Sequence, residues 1–579
     1  ANAVEVNPTI EQAKYDIESL VILKHKAQSL RAVNKLQASK STLQLAIQLI
    51  DQIRYNYLAE GSKYALLERA MSIYEQAIDL ALEMDDETWA FEVAERSKAT
   101  LLLESVKNTE AQTFAGISEE LLEQEREQKV QIAFYERLLN EAESEADRVK
   151  YQRKLFDLKQ NYQRFLAALE QAHPDYYALK YDVHYPTLSE VQQHLLNEQT
   201  ALIEYFTGDS SIYVFVLTQE DFEVQKLAKT DDFGEQLNAL RKILSTTNNS
   251  VNSFQNYSQK AFEIYEQYVS PALKNLPSTV NELILIPDGQ LSYIPFQALI
   301  KHPVSHQKTS DPRFDTLSYL VYDYAISYAY STTLLLDHQA VTESRQLKYG
   351  GFAPIFTDGE KIAAVRSGKL NALPHSRIEV EQIAALLRGT SYFEQQANLA
   401  DFKTQAANFN ILHLSTHAAV DDENPNQSRI HLFDDYITVN EIYNLPIRAD
   451  LTVLSACETG VGEYKRGEGM LSLARAFRYA GCPSLVTSLW QVKDAATANL
   501  MVNFYTALKT GQAKSSALQQ AQLQHLSDAS MSSAHPFYWA AFVQTGSRSA
   551  LVNPVGAWWK WGLGLLALLL VVAMWWKRR

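Results

Sequence analysis

Apolar positions recur with helical spacing over the first 110 residues of the chain. The run AIQL at 46–49 returns further along as AIDL at 77–80. Around the second copy, small and large side chains alternate along one helical face, as at Ala70 and Tyr74. Small positions let a neighbouring helix approach, and large ones fill the groove between helices. We therefore predict helix-hairpin repeats over residues 1–110, with an ordinary amphipathic bundle as the alternative.

The next stretch has the composition of long helices. From Ile117 to His173 there is no Gly or Pro, and Glu, Gln, Lys, Arg and Leu dominate. These residues have high helix propensity, and their charged runs are typical of solvated helical faces. We predict a long helical hairpin over residues 111–180, with its helices ending before Pro174.

Short β-rich runs replace the helical pattern from about residue 181. Two such runs, 201–206 and 212–217, flank a Gly-Asp-Ser-Ser turn, which predicts a β-hairpin. Beyond residue 347, apolar strands alternate with helical segments, as in a mainly parallel sheet with helices on both faces. The further predicted strands are Leu283–Ile286, Ile411–Ser415, Leu451–Ala456, Ser484–Leu489 and Tyr538–Val543, and the predicted helices are Glu379–Leu387, Glu468–Tyr479, Asp494–Leu508 and Ala513–Leu526.

The C-terminal segment has a continuous apolar run. Residues 562–574 carry no polar side chain, and five of the eight tryptophans lie in the last 22 residues. A helix over 557–576 would be about 30 Å long, which matches the hydrocarbon thickness of a bilayer. We therefore predict a linker over 547–556 and a single transmembrane helix over 557–576, with a buried terminal helix as the alternative. The chain is expected to be a single-pass, C-terminally anchored membrane protein in contact with lipid, and the basic tail at 577–579 favours an extracytoplasmic body with a cytoplasmic tail.

Composition excludes several classes of protein. The chain has 579 residues, with 53 Lys and Arg against 68 Asp and Glu, which gives a formal net charge of −15. This length predicts several domains. The acidic balance argues against nucleic acid as a partner, because phosphate backbones are bound by clustered Lys and Arg. The two cysteines, Cys457 and Cys482, are too few for a disulfide framework.

Two predicted strands end in residues suited to nucleophilic catalysis. His417 follows the strand Ile411–Ser415, and Cys457 follows the strand Leu451–Ala456. If these strands are neighbours, His417 and Cys457 face each other where functional residues of parallel sheets gather. A nearby imidazole favours the thiolate and can protonate a leaving amine, and a helix predicted after Cys457 would offer N–H groups to an oxyanion. The alternative is a cysteine that only fills the core.

Other chemistries fit the sequence less well. His413 and His417 could share a metal ion on a helix, but on a strand they lie roughly 13 Å apart, which is too far. The glycines at 460, 462, 467 and 469 match neither the dinucleotide-binding nor the P-loop spacing. No Gly-x-Ser-x-Gly motif occurs, which disfavours a serine hydrolase. We therefore predict no metal and no cofactor, and a structural role for Cys482.

Several segments together resemble a known family. They are ELILIPDGQLSYIPFQAL at 282–299, THA at 416–418, LSACETG at 454–460 and HPFYWAAFVQTG at 535–546. These segments are similar to the CHAT domain, a caspase-like domain associated with tetratricopeptide repeats. SACETG is a highly specific part of the resemblance, and the helices of residues 1–110 also resemble degenerate tetratricopeptide repeats.

The resemblance covers about residues 181–546 and implies a caspase–haemoglobinase fold in two halves. The first half, 181–340, would be a degenerate caspase-like unit. The second half, 341–546, would be the active unit. The fold class expected from the sequence is therefore a helical repeat-like arm, an α/β caspase-like domain and a single C-terminal transmembrane helix.

The resemblance also assigns roles at the site. It implies that His417 is the catalytic histidine and Cys457 the nucleophile, with the backbone N–H groups of Ala418 and Cys457 forming the oxyanion hole. Caspases carry Gly where this chain has Ala418, so the hole requires a backbone without positive φ at that residue. Ser455 matches a position that lines the primary substrate pocket, and its small neutral side chain favours neither acidic nor basic substrates.

Two hypotheses about function follow. The first is a membrane-anchored cysteine endopeptidase that cleaves protein substrates with a His417–Cys457 dyad and is regulated or targeted by a protein partner on its helical arm. The second is a catalytically inactive membrane-bound adaptor that uses the repeats and the caspase-like fold for protein–protein interaction. An intact dyad favours the first, because an adaptor has no chemical need of both groups. A transferase that resolves the same acyl-thioester with an amine stays open.

Overall fold

A computed structural model gives the architecture of the chain. It describes residues 7–57, 60–114, 116–181, 183–304, 312–337, 347–354, 373–421, 424–455, 459–491, 494–530 and 533–552. These residues form a helical N-terminal arm followed by a large α/β domain. The change from helical to β-rich sequence near residue 181 predicts this division, and the prediction is confirmed at that level.

Five helices form the arm. They are α1 (Ile17–Ala32), α2 (Leu36–Asn56), α3 (Glu60–Glu83), α4 (Glu87–Arg96) and α5 (Thr100–Phe114). Asp16 and Asp86 begin α1 and α4 by accepting hydrogen bonds from backbone N–H groups of the first turn, which satisfies donors that have no partner within the helix. The repeated small and large positions of α2 and α3 are fully buried, namely Ala46, Leu49, Ala77 and Leu80. The repeat pattern therefore corresponds to the packed faces of the arm.

Three helices connect the arm to the sheet. They are α6 (Glu119–Asn140), α7 (Glu145–Ala172) and α8 (Pro174–Tyr181). Ser118 and Ser144 cap α6 and α7 through their side-chain oxygens, and the fixed φ of Pro174 suits the first position of α8. Helices α6 and α7 pack against each other, and we call this pair the α6–α7 hairpin.

The strands of the described residues belong to three sheets. They are β1 (Thr200–Thr207), β2 (Ser211–Leu217), β3 (Phe222–Ala228), β4 (Glu282–Ile286), β5 (Ala325–Tyr328), β6 (Tyr349–Ala353), β7 (Thr390–Phe393), β8 (Ile411–Ser415), β9 (Ala418–Ala419), β10 (Arg429–His431), β11 (Tyr436–Thr438), β12 (Leu451–Ser455), β13 (Gly462–Lys465), β14 (Gly469–Ser472), β15 (Ser484–Ser488) and β16 (Phe542–Gly546). The large sheet has the order β3-β2-β1-β4-β5-β16-β15-β12-β8-β6-β7, and β9–β11 and β13–β14 form two small sheets.

The large sheet consists of two parallel groups of opposite direction. β1, β4 and β5 are parallel to one another, and so are β15, β12, β8, β6 and β7. β16 joins the groups, since it pairs parallel with β5 and antiparallel with β15. Most pairs in the sheet are thus parallel, as the alternation of strands and helices predicts.

Helices cover both faces of the sheet. In the α/β domain they are α9 (Leu188–Leu195), α10 (Phe233–Leu244), α11 (Val251–Tyr268), α12 (Ser270–Leu273), α13 (Thr332–Leu336), α14 (Pro374–Leu387), α15 (Leu399–Gln405), α16 (Val439–Ile442), α17 (Leu473–Tyr479), α18 (Asp494–Lys509) and α19 (Lys514–Asp528). Because side chains alternate along a strand, Ile203 and Tyr205 of β1 pack in the core with α10, α11, α18 and α19, whereas Leu202 and Phe206 pack in the core with the arm. The arm is therefore built onto one face of the sheet.

Two of the predicted elements differ from the structure. Residues 468–472, predicted to begin a helix, belong largely to β14, and α17 begins only at Leu473 with Ser472 as its cap. Gly467 and Gly469 have φ values of +82° and +78°, which a continuous right-handed helix does not accept. The predicted strand Tyr538–Val543 is also shifted. A short 3₁₀ turn ends at Tyr538, and β16 begins at Phe542.

The membrane prediction requires correction. Among the described residues, no helix combines the length and the apolar character needed to cross a bilayer. The longer helices, such as α7, carry many charged residues. This finding contradicts the prediction of a single-pass, C-terminally anchored membrane protein in contact with lipid. The predicted span itself, 557–576, lies outside the described residues.

Candidate active site

Strands β8 and β12 are parallel neighbours at the centre of the second parallel group. Their register pairs Ile411 with Leu451 and Ser415 with Ser455, and both strands are buried along their whole length. Their carboxyl ends therefore lie side by side at one edge of the sheet. His417 comes two residues after Ser415, and position 457 comes two residues after Ser455. The prediction of the site required these two strands to be neighbours, and in the structure they are.

His417 is buried beside a second histidine. It lies between β8 and β9, two residues after the end of β8, with 7% of its surface exposed. Its carbonyl accepts a hydrogen bond of 2.9 Å from the backbone N–H of His431 in β10, and Thr416 Oγ1 donates to the carbonyl of His431 at 2.6 Å. Burial first, and then the charges of Arg429 and His417, lower the pKa of His431 to about 4. His431 is therefore neutral at pH 7. Sequence reasoning missed it, because its proximity depends on the pairing of β9 with β10.

Ala418 has the backbone conformation that the oxyanion role requires. It begins β9 opposite Ile430 of β10 and is not among the described residues with positive φ. His417 and His431 form a hydrogen-bonded pair of this antiparallel ladder, so Ala418 and Ile430 form a non-hydrogen-bonded pair. In such a pair the N–H groups point away from the partner strand. The N–H of Ala418 is thus not used by β10.

The structure describes Ser455 but not Cys457. Ser455 ends β12, and its buried Oγ has no hydrogen-bond partner among the described residues. Cys457 lies outside the described residues, together with positions 456 and 458. Cys482 is described. It is a buried free thiol that donates to Thr452 Oγ1 at 3.3 Å, and burial raises its pKa.

The chain after position 458 turns back onto the sheet before any helix begins. Thr459 is fully buried and its Oγ1 donates to Leu454 O at 3.2 Å. Gly460 N–H donates to Ser488 O at 2.9 Å, and Ala474 N–H donates to Thr459 O at 3.1 Å. The β13–β14 hairpin then separates this segment from α17. The helix predicted after Cys457, Glu468–Tyr479, thus begins only at Leu473, beyond the hairpin.

A buried polar cluster lies under β8. Glu379 of α14 and Tyr505 of α18 both contact His413, at 3.0 Å from its Nε2 and Nδ1 respectively. Ser415 Oγ donates to the other oxygen of Glu379 at 3.3 Å. The pKa of Tyr505 is raised by its burial, and then by Tyr349 and Glu379. The sequence drew attention to His413 only as a possible metal ligand, and its two partners come from helices distant along the chain. Among the described residues, no group of three or more His, Cys, Asp and Glu side chains is placed so that it could bind a metal ion.

Comparison with protein families identifies the α/β domain. Residues 258–547, just over half of the chain, match the model of the CHAT domain. The chain belongs to the CHAT-domain family. His417, Ser455 and both strands that precede the site lie within the matched residues of the CHAT domain, as does position 457.

Individual proteins resemble this CHAT-domain chain less extensively. Tetratricopeptide repeat protein 28 of Mus musculus and its counterpart in Homo sapiens are each 30% identical over 118 residues, which is 20% of this chain and 5% of theirs. The chain thus spans a small part of these relatives. Among solved structures, the Saccharomyces cerevisiae separase–securin complex matches with 9% identity and a TM-score of 0.43, over 93% of this chain and 47% of the other. The Arg-specific cysteine proteinase gingipain R matches with 12% identity and a TM-score of 0.31, over 53% of this chain and 69% of the other. Because TM-scores below 0.5 do not establish a common fold, the family assignment rests on the CHAT match.

The arm contacts the CHAT domain at the hairpin that follows the site. Ala99 N–H donates to Gly467 O at 2.6 Å, and Leu101 N–H donates to Glu468 Oε1 at 2.8 Å. Glu468 also pairs with Arg475 at 2.5 Å, and both side chains are almost completely buried. The turn of the β13–β14 hairpin is therefore bound to the start of α5 by one backbone hydrogen bond and by one bond to the Glu468 side chain. The buried ion pair with Arg475 of α17 holds that side chain in place.

Proposed function

We propose that this chain is a cysteine endopeptidase of the caspase-like type, with Cys457 as nucleophile and His417 as general base. The observation that carries the proposal is the register of β8 with β12. His417 and Cys457 each follow the registered pair Ser415–Ser455 by two residues. Membership of the CHAT-domain family supports the same assignment.

The proposed reaction proceeds through an acyl-enzyme. His417 takes the proton of the Cys457 thiol, and the thiolate attacks the carbonyl carbon of a peptide bond. The N–H groups of Ala418 and Cys457 stabilise the oxyanion, a role for which the free N–H of a non-hydrogen-bonded pair at Ala418 is suited. His417 then protonates the leaving amine, and water hydrolyses the thioester to release the acid.

The neighbour of His417 suits this chemistry. A protonated imidazole next to His417 would repel the charge that His417 acquires on taking the thiol proton. The low pKa of His431, about 4, keeps that side chain uncharged at neutral pH. We further propose that Ser455 lines the primary pocket, that 181–340 and 341–546 are the degenerate and active halves, and that the arm over 1–110 binds a regulatory protein.

Labelling by an electrophilic peptide probe tests the proposal. We would compare the parent chain, Cys457→Ala and Cys482→Ala, measuring the initial rate of labelling between pH 5 and 9. Cys482→Ala should label as fast as the parent, and Cys457→Ala should not label, because only Cys457 is expected to be an activated thiolate. His417→Ala should retain Cys457 but lose the rate advantage below pH 8.

Two results would contradict the peptidase. One is labelling of Cys457 no faster than that of the same thiol in the urea-unfolded chain. The other is cleavage of a confirmed protein substrate by the Cys457→Ala variant. The first result would favour the adaptor instead. Release of a free acid rather than an amide-linked product, read by mass spectrometry, distinguishes hydrolysis from transfer.

A further inference from the structure

A polar groove separates the α6–α7 hairpin from the loop that follows β9. Its volume is about 420 Å³. One wall comes from the hairpin and includes Asn140 and Gln152. The other comes from the CHAT domain and includes Asn424, Asn426 and Gln427. The second wall belongs to the segment that connects β9 to β10, and β9 directly follows His417 along the chain.

Among the described residues, none of these five amide side chains has a hydrogen-bond partner. The bond of Asn424 to Asp421 is made by its backbone N–H. Gln427 is 6% exposed and lines the groove. Buried polar groups are normally hydrogen-bonded. Of the five, Asn140, Gln152 and Asn424 are exposed and Asn426 is half-buried, so Gln427 is the lining amide whose missing partner points to a ligand.

The two walls are held in a fixed relation. Arg137 of α6 pairs with Asp435 at 2.6 Å and donates to Tyr436 O at 3.3 Å. Asn440 donates to Glu136. The loop wall is itself braced, since Asn424 N–H donates to Asp421 Oδ1 at 2.8 Å. A groove with ordered walls binds without the entropic cost of ordering them.

The lining chemistry matches the main chain of a polypeptide. An Asn or Gln side chain carries an acceptor oxygen and a donor NH₂, the same functions that alternate along an extended peptide. Sites for small molecules are lined mainly by apolar and aromatic side chains, whereas this lining contains two leucines and no aromatic residue among its described members. The carboxylate of Glu136 is engaged by Lys159 at 2.6 Å, and the remaining charged side chain of the lining is Arg148, whose guanidinium donates hydrogen bonds to carbonyl oxygens.

We propose that this groove is a docking site for an extended stretch of the substrate polypeptide, outside the catalytic centre. The inference rests on the proposed peptidase function and adds the way in which substrate is held. Recognition through the main chain makes the site tolerant of side-chain sequence. Loss of the groove amides should therefore raise KM for protein substrates and leave kcat unchanged.

Binding measured in the absence of turnover tests the proposal. The probe is fluorescein-labelled casein, an unfolded polypeptide, and the protein is the full chain carrying Cys457→Ala. We expect Gln152→Ala combined with Asn426→Ala to weaken binding about tenfold or more, since two hydrogen bonds to the ligand are lost. Asn426→Gln, which retains the amide, should keep most of the affinity.

The control replaces an amide outside the groove. Gln160→Ala changes an exposed residue eight positions beyond Gln152 on the same helix and should bind casein like the parent. Equal thermal unfolding of all variants excludes a folding defect. Casein binding that is unchanged in the double variant, or absent in the parent, would overturn the proposal. Competition by maltoheptaose but not by unlabelled casein would assign the groove to carbohydrate and overturn it as well.

The same experiment separates this proposal from the peptidase assignment. Labelling of Cys457 reports the dyad, whereas casein binding to the Cys457→Ala chain reports only the groove. Slow labelling with groove-dependent binding would refute the peptidase and retain a polypeptide site. Fast labelling of Cys457 together with casein binding that does not depend on the groove amides would support the peptidase and refute the docking site.

Discussion

Replacing Glu468 by glutamine should lower the stability of the chain, because it removes the charge that pairs with Arg475 beside the arm. Burial by itself lowers the pKa of Arg475, and Glu468 raises it above its usual range, so Arg475 stays charged. In the variant the glutamine oxygen can still accept from Leu101, and Arg475 Nη1 keeps its 2.5 Å bond to the carbonyl of residue 468. The substitution therefore removes mainly the charge. Breaking a buried ion pair costs about 3–5 kcal/mol, and the two surviving bonds lead us to expect the lower end, ~3 kcal/mol.

Urea unfolding measures this loss. Parent and variant are followed by far-UV circular dichroism and by tryptophan fluorescence, and both probes should give the lower midpoint. Glu123→Gln serves as the matched control, because Glu123 and Arg126 form a pair on α6 that is about half exposed on each side. Exposed pairs contribute little to stability, so its midpoint should equal that of the parent. Equal midpoints for Glu468→Gln and Glu123→Gln would refute the reasoning.

Three further predictions concern the hairpin, the histidines and the second cysteine. Both Gly467 and Gly469 have positive φ, but only at Gly467 would an added Cβ meet the arm, at 3.0 Å from a backbone oxygen. Urea unfolding should therefore show that Gly467→Ala destabilises the chain more than Gly469→Ala does, by about 1–3 kcal/mol. Burial lowers the pKa of His431 and His535 in the folded chain to about 4. As the pH falls from 6.5 to 4, these histidines bind protons in the unfolded chain but not in the folded one, so the free energy of unfolding should decrease over this range. His431→Gln with His535→Gln should flatten the dependence of Tm on pH, and an unchanged slope would contradict this cause. Cys482, in a Cys457→Ala background, should react with DTNB only at the rate of global unfolding, and fast reaction of the folded chain would show that it is accessible.

Sequence patterns predict those strands whose boundaries are set locally. The strand Ile411–Ser415 is observed with the predicted bounds, because a short apolar run between polar residues has one compatible length. β16 is shifted from its predicted position because its register depends on β15 and β5 on either side, which are distant in the chain. The helix predicted from Glu468 fails for a related reason. The backbone of Gly467 is turned toward Ala99 of the arm, and no local preference encodes that contact.

The candidate site, too, can be predicted from the sequence only in part. A histidine and a cysteine at the ends of two apolar strands can be read from one sequence, and so can the need for adjacent strands. The pairing that meets this need, Ser415 with Ser455, could only be seen in the fold. His431 and the partners of His413 could not be predicted, since they are brought in by pairing and packing across the sheet. The amide-lined groove combines two stretches of the chain, 136–155 and 424–440, that are separated by more than 200 residues, so no window of the sequence contains it.

The helical region contacts both loops that follow β8 and β12. After β12, Thr459 is bound to the sheet and Glu468 to α5, so the chain on the carboxyl side of position 457 is held between two structural units. After β8, the loop that follows His417 faces the α6–α7 hairpin, which is fixed to the CHAT domain through Arg137. Moving the arm away from the domain would separate Leu101 from Glu468 and expose a buried ion pair. The position of the arm and the geometry of the loop after β12 are therefore coupled energetically, because separating them breaks the hydrogen bonds of Ala99 and Leu101 to Gly467 and Glu468.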